Sequence, residues 1–384
     1  VAVEHRGGAD HGGVCARVER LGERERAGDL ATHVRPQPAL LLRVVGPVGE
    51  QLHVPAVGSL DAEDGHRHHG VAHQLGDERE LHLPESLAAE RIGQVVFMGC
   101  GAQMGVAQAA AALTQSLARM TTRSTTPQDV LFSEIPPYDP RIKTLLVVLS
   151  RGWSGSGLRA LKLLRQRDPK LLTLAVGHRD CSLSGECLHL LVTSQTADLS
   201  QAGVTANSLG LLACLQIATW LSRKSDSPLE LNENFEDWLG QTWINIHNWL
   251  MVGPPPRSIS LLSSTPLQGL STSMGLTSYH LTGIPTHPGL YNALLPTGLN
   301  NSALVVGLNC PSFQRVESAA LAKLSPLARV AGLCSPDASY PALCPSINLN
   351  DALWALVAIP VVSLLSLALA IKVGRNPDLK GTSR

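Results

Sequence analysis

Two short runs of small and hydroxyl-bearing residues are the parts of this 384-residue sequence best suited to chemistry. The first, Gly99-Cys100-Gly101-Ala102-Gln103, follows an apolar run over 95–98 and precedes a helical pattern over 104–119. The second, Ser150-Arg151-Gly152-Trp153-Ser154-Gly155-Ser156-Gly157, lies between an apolar run over 144–150 and a helix over 158–167. Glycine lets the backbone approach a ligand closely, and a helix start offers unpaired N–H groups with partial positive charge. Hydroxyls add side-chain donors, so Cys100, Gly101, Gln103, Ser150, Ser154 and Ser156 suit an anion such as a phosphate. A third polar stretch over 200–208, containing Thr205 and Asn207, opens a helix over 204–223 and is placed to complete the pocket around a sugar's hydroxyls. The spacing is not a dinucleotide fingerprint, because the third Gly falls at 105, one residue late. It is not a P-loop either, which needs Gly-Lys-Ser/Thr. A plainer reading keeps the glycines for turning the chain and Ser154 or Ser156 for capping a helix.

Moving a proton in such a pocket needs a titratable group. Asp237 and Glu317 bracket 79 residues without Asp or Glu, and no Lys occurs between Lys224 and Lys323. A helix over 267–279 carries Ser271, Thr272, Ser273, Thr277 and Ser278, whose hydroxyls are weak bases and nucleophiles unless activated. His280 and His287 are the imidazole-bearing residues of that region, the side-chain type suited to shuttling a proton. Each also reads as a plain helix-end or loop residue. His66, His68, His69 and His73 cluster without a Cys or carboxylate framework, so a solvated loop competes with a metal site. The eight Cys form no CxxC pair, the pattern of a reduced chain, and nothing calls for a metal or a cofactor.

The elements that must position these residues repeat. Apolar runs over 144–150, 171–176 and 188–192 alternate with helices, which predicts a parallel sheet covered on both faces. A helical connector over 229–252 and Pro254-Pro255-Pro256 follow. The alternation then resumes with strand 258–262, helix 267–279, strand 303–308, helix 313–324 and strand 328–333. Pro360 divides the final apolar run into a strand-length piece, 353–359, and a helix-length piece, 361–373. The uncharged run 352–371 also has the length of a bilayer span, an alternative to a buried core.

Residues 1–91 are different in kind: they contain no Phe, Trp, Tyr, Lys, Ile, Met or Asn. Without these they lack the largest sources of buried area. They read as a non-globular or misassigned extension. The expected organisation is therefore an extension over 1–91, an α/β unit over 92–225, a helical connector over 226–256 and a second α/β unit over 257–384. With 31 basic and 31 acidic side chains the net charge is zero, which argues against a nucleic-acid partner. The Arg-rich start lacks the apolar stretch of a signal peptide, so a cytoplasmic chain without a membrane partner is expected.

In this order of elements, with Gly99-Cys100-Gly101, Ser150 and its Ser/Gly loop, Gly203-Val204-Thr205 and a closing Gly374-Arg375-Asn376-Pro377-Asp378, the chain resembles the tandem sugar isomerase (SIS, phosphosugar-binding) family. It is similar to the isomerase half of glutamine–fructose-6-phosphate aminotransferase and to amino-sugar isomerases and deaminases. The resemblance covers 92–384. It implies two three-layer α/β/α units and a phosphorylated hexose or amino sugar held by Ser150, Ser154 and Ser156 with Thr205 nearby. It also implies a homodimer, a His-containing loop matched loosely by His287-Pro288-Gly289, and a tail lysine matched by Lys380. Departures are Ala102 where the family has a hydroxyl, Trp153 in a loop of small residues, and Gln201 for a common Glu. The family's catalytic Glu on the 267–279 helix is also absent. The implied function is phosphosugar binding with aldose–ketose isomerisation or amino-sugar-phosphate deamination. The alternative is a sugar-phosphate sensor without turnover.

Overall fold

A computed structural model of the chain describes residues 40–45, 51–56, 91–150, 155–178, 181–183, 185–194, 204–222, 235–290, 302–334 and 339–375. All lie in the body Ala39–Arg384, one of two into which the chain divides. Within the segment expected to be non-globular, β1 (Leu40–Val45) and β2 (Gln51–Ala56) form an antiparallel pair. The four-His cluster lies outside the described residues.

From residue 94 the runs of consecutive apolar residues become strands buried on both faces, which requires cover from two sides. Five parallel strands form the first sheet: β3 (Gln94–Met98), β4 (Thr121–Thr125), β5 (Thr144–Leu149), β6 (Leu172–His178) and β7 (His189–Ser194). Their order is β4-β3-β5-β6-β7. The helices are α1 (Ala102–Ala118), α2 (Pro127–Phe132), α3 (Gly155–Arg167) and α4 (Val204–Ser222). After the connector helix α5 (Phe235–Met251) comes a second parallel sheet of β8 (Ser258–Ser263), β9 (Thr286–Leu290), β10 (Ala303–Gly307) and β11 (Arg329–Gly332). Its order is β9-β8-β10-β11, the same as β4-β3-β5-β6. Helices α6 (Gln268–Thr282), α7 (Gln314–Leu324) and α8 (Asp351–Lys372) complete this unit. The two α/β units repeat one plan, as expected.

Strand alternation sends side chains to opposite layers. Val95, Phe97, Leu145, Val147, Leu149, Leu174 and Val176 face α1 and α4, while Val96, Met98, Leu146, Val148 and Ala175 face α3. In the second sheet Ile259, Leu261, Leu304 and Val306 turn toward α6 and α8, and Ala303, Val305 and Val330 toward α7. The inner faces of both sheets share one continuous core, because α1 and α4 pack on α6 and α8 between them. At its centre α1 and α6 meet backbone to backbone. A Cβ on Gly105 would lie 2.2 Å from the Gly269 carbonyl oxygen, and one on Gly269 would lie 2.3 Å from that of Gly105.

The strand expected over 353–359 is not present. Residues Asp351–Lys372 form one 22-residue helix with Pro360 inside it. Proline removes one backbone donor and crowds the carbonyl four residues earlier, a cost of about 3 kcal/mol or more in an exposed helix. Here burial on almost every side outweighs it. Ala352, Leu353, Trp354, Ala355, Val357, Ala358, Ile359, Val361 and Val362 are all buried. Asn350 caps the helix by accepting from the Leu353 N–H, and the Trp354 indole donates to the Leu308 carbonyl at 2.7 Å. This is the one described helix long and apolar enough to cross a membrane, and 83% of its most apolar window is buried within the protein. Its greasiness is therefore accounted for by the shared core.

Two parallel edge strands escape the sequence pattern. β4 (Thr-Thr-Arg-Ser-Thr) and β9 (Thr-His-Pro-Gly-Leu) are polar or proline-bearing because an edge strand is partly solvated. Short α2 is announced by a capping box, in which Thr126 and Asp129 exchange side-chain-to-backbone hydrogen bonds of 3.0 Å. Since the Gly105–Gly269 crossing leaves no space for a side chain, Gly105→Val is expected to destabilise the chain by about 1–3 kcal/mol, the usual cost of overpacking. Urea unfolding monitored by circular dichroism measures it. A variant as stable as the parent would show that the helices do not touch there.

Candidate functional site

The first unit's candidate residues gather at the carboxyl ends of β3 and β5, adjacent strands whose register pairs Met98 with Val148. Cys100, two residues past the end of β3, and Ser150, one past the end of β5, are thus at the same level. Ligands of open parallel sheets bind at such strand ends. Gly99 is required sterically, since a Cβ there would lie 2.2 Å from the Gln103 carbonyl oxygen. Gly101 is required by conformation: it is the N-cap of α1 with φ 59°. No side chain caps α1, and its first turn carries no acidic residue. The Gln103 and Met104 N–H groups turn back to the Cys100 and Gly101 carbonyls at 3.2 and 3.0 Å, which leaves the Ala102 N–H as the leading donor for an outside acceptor. Cys100 is half-buried and is a free thiol.

Ser150 is buried, and its N–H donates to the Val176 carbonyl at 3.0 Å, extending the β5–β6 pairing by one residue. Gly177 stands against it; a Cβ there would be 2.9 Å from the Ser150 carbonyl oxygen. The helix expected from 158 begins at Gly155, so Ser156 and Gly157 are in its first turn, with Ser156 half-buried. Ser154 and Lys380 lie outside the described residues. Thr205 is in the first turn of α4, though its side chain is outside them too.

Gln103 and Asn207 are brought together and satisfy each other. The Gln103 amide nitrogen donates to Asn207 Oδ1 at 2.9 Å, with both side chains buried. The pair ties the start of α1 to the start of α4, across Gly210, where a side chain would crowd Gln103. Asn207 also borders a void about large enough for one water, lined further by Met274, Thr277, Ile359, Val362, Ser363 and Ser366. Both residues thus brace the two helix starts. His280 and His287 are exposed on the second unit, His280 beside the Tyr279 ring and His287 within the edge strand β9. No hydrogen bond joins either to the first unit's loops among the described residues.

Two titratable residues gain importance that their sequence positions do not advertise. His178 ends β6, beside the Ser150 loop, and both of its ring nitrogens are enclosed without a hydrogen-bond partner. Glu317 is 1% exposed. Its Oε1 accepts from the Ser264 N–H at 2.9 Å and its Oε2 from the Cys310 N–H at 2.7 Å. Burial pushes its pKa up to about 7; the Ser264 side chain and the two N–H groups oppose that shift, and the Asp351 charge adds to it. Burial likewise raises the Cys310 thiol.

An acid with a folded pKa above its unfolded value takes up protons on folding. Its contribution to stability is therefore complete below about pH 4.5 and is lost as pH rises through about 7. The loss amounts to roughly 3 kcal/mol between those limits. Melting temperature is expected to fall from pH 5 to pH 8 and to do so less steeply in Glu317→Gln. Parallel profiles for the two proteins would assign the pH dependence elsewhere.

No family model matches the sequence, and no curated protein matches it. Solved structures do. The tagatose-6-phosphate ketose/aldose isomerase from Escherichia coli superposes with a TM-score of 0.63 at 18% identity, covering 77% of this chain and 86% of that one. The C-terminal domain of glucosamine-fructose-6-phosphate aminotransferase from Francisella tularensis gives 0.62 at 12% identity, covering 74% and 86%. The glucosamine-6-phosphate deaminase from Thermotoga maritima gives 0.60 at 17% identity, covering 74% and 88%. The chain therefore has the tandem sugar isomerase fold that its loops and element order resemble.

Proposed function

We propose that the chain binds a phosphorylated hexose or amino sugar at the carboxyl ends of β3 and β5. The observation carrying this reading is the uncapped start of α1, whose N-cap Gly101 has φ 59° and whose first turn holds no acidic residue. The Ser150 tip lies level with it, and the first turns of α3 and α4 are also free of acidic residues. Helix-start N–H groups hold the phosphate, and Ser154 and Ser156 add hydroxyl donors. Thr205, in the first turn of α4, adds a hydroxyl for the sugar, while Gln103 and Asn207 keep the two helix starts in register.

Binding without turnover fits the second unit best. Helix α6 presents buried Ser271, Ser273, Thr277 and Ser278 and no titratable side chain on its buried face. Turnover is the second reading, favoured by the isomerase and deaminase activities named for proteins of this fold. In it His280 or His287 carries the proton between adjacent sugar carbons, assisted by Lys380.

A thermal-shift titration with fructose 6-phosphate, glucosamine 6-phosphate and galactosamine 6-phosphate tests the common core of both readings. A ligand at about 100 times its Kd stabilises the native state by about 2.7 kcal/mol. One of the three is expected to raise the melting temperature saturably, and Ser154→Ala with Ser156→Ala to weaken it at least roughly tenfold. If none of the three shifts the transition, the binding site is misassigned. Exchange of the sugar's C2 proton with solvent deuterium, lost in His280→Ala or His287→Ala, separates turnover from binding alone.

A further inference from the structure

The two units repeat one another in sheet order and in the sequence of elements, so corresponding positions can be compared. Helices α3 and α7 hold corresponding places, each between the third and fourth strands of the shared order. Their buried faces have one spacing: Gly157, Leu161 and Leu164 in α3, and Glu317, Leu321 and Leu324 in α7. Where the second unit has a buried glutamate, the first has a glycine.

The partners of that glutamate correspond as well. Ser264 follows β8 and Cys310 follows β10, and their N–H groups donate to the two oxygens of Glu317 at 2.9 and 2.7 Å. The matching loops of the first unit follow β3 and β5. Those are the loops containing Cys100 and Ser150, and α3 carries Gly157 at the position that Glu317 has in α7. Further polar groups border the second site. The amide of Asn309, next to Cys310, is 1% exposed with neither its nitrogen nor its oxygen hydrogen-bonded. The hydroxyl of Ser263, next to Ser264, is buried without a partner. Asp351 stands near, accepting from the Ser312 N–H at 2.9 Å.

We propose that the second unit contains a latent oxyanion cradle, formed by the Ser264 and Cys310 N–H groups and filled by the chain's own Glu317 carboxylate. That place in the second unit is thus closed to an outside anion. Glu317 excludes a phosphate sterically by holding its donors, and Glu317 with Asp351 excludes it by charge. The claim about Glu317 stands on the second unit's own geometry; only the open state of the matching first-unit site rests on the phosphosugar reading.

Chemical rescue tests it on the full chain. Glu317→Ala is expected to melt below the parent. Sodium formate or inorganic phosphate should restore at least half of the lost melting temperature, read as the difference from the parent protein under the same salt. Sodium chloride at equal ionic strength should not. Equal effects of formate, phosphate and chloride would overturn the proposal. Should the variant not fold on expression, its refolding from urea in each salt replaces the melting curve. Recovery in the oxyanions alone supports the cradle, and equal failure in all three salts refutes it. The reciprocal change, Gly157→Glu, is expected to weaken phosphosugar binding at least roughly tenfold, because it places a carboxylate in the first turn of α3, where the phosphosugar reading puts an anion. Unaltered sugar affinity in that variant would also refute the proposal. If the parent binds none of the sugars, the phosphosugar reading fails alone and the Glu317 rescue still decides this one.

Discussion

Two parallel sheets, each needing cover on both faces, share a single layer of helices, and the backbone contact of Gly105 with Gly269 sets how closely the halves of that layer approach. Most of the fold's unusual features follow. Helix α8 is apolar on every side because it touches α4, α5 and α6 rather than water. Pro360 persists within it because the surrounding burial outweighs one missing hydrogen bond. Helices α1 and α4 must also start at defined places, since their first turns are where the ligand reading puts the phosphate and sugar. The Gln103–Asn207 bond joins those starts, so the constraint that builds the core also sets the site.

The central strands were legible because a strand buried on both faces is written as an unbroken apolar run, as in Thr144–Leu149. The edges were not. β4 and β9 consist of residues equally at home in a loop, and only pairing with β3 and β8 makes them strands. The proline at 360 misled for a different reason: its local cost is visible in sequence, whereas the compensating burial comes from helices far away in the chain. The Gly-Cys-Gly turn announced itself by residue type. Gln103 and Asn207 could be picked out as polar but not as partners, being 104 residues apart. Glu317 marked only the end of a carboxylate-free stretch, because its role depends on a backbone N–H 53 residues earlier.

Equivalent positions in a repeated fold need not keep equivalent chemistry. The first unit has a glycine, an uncapped helix and a histidine with both nitrogens unpaired at its strand tips. The second has a carboxylate bonded to the corresponding turns and an amide and hydroxyl sealed nearby. Burying a carboxyl is costly unless it is hydrogen-bonded, and two N–H donors to Glu317 meet that requirement while leaving its proton affinity high. Such a division leaves the two units alike in their shared core and different in the chemistry at their strand ends.

The position of α8 has a consequence for biosynthesis. A ribosome delivers this helix after every other described element, yet the inner surfaces of α4, α5 and α6 depend on it for cover. Until it emerges, a nascent chain exposes a broad greasy surface, the kind of intermediate that aggregates or engages holdase chaperones. Emergence of α8, rather than completion of either sheet, is then the event that commits these two units to their native state.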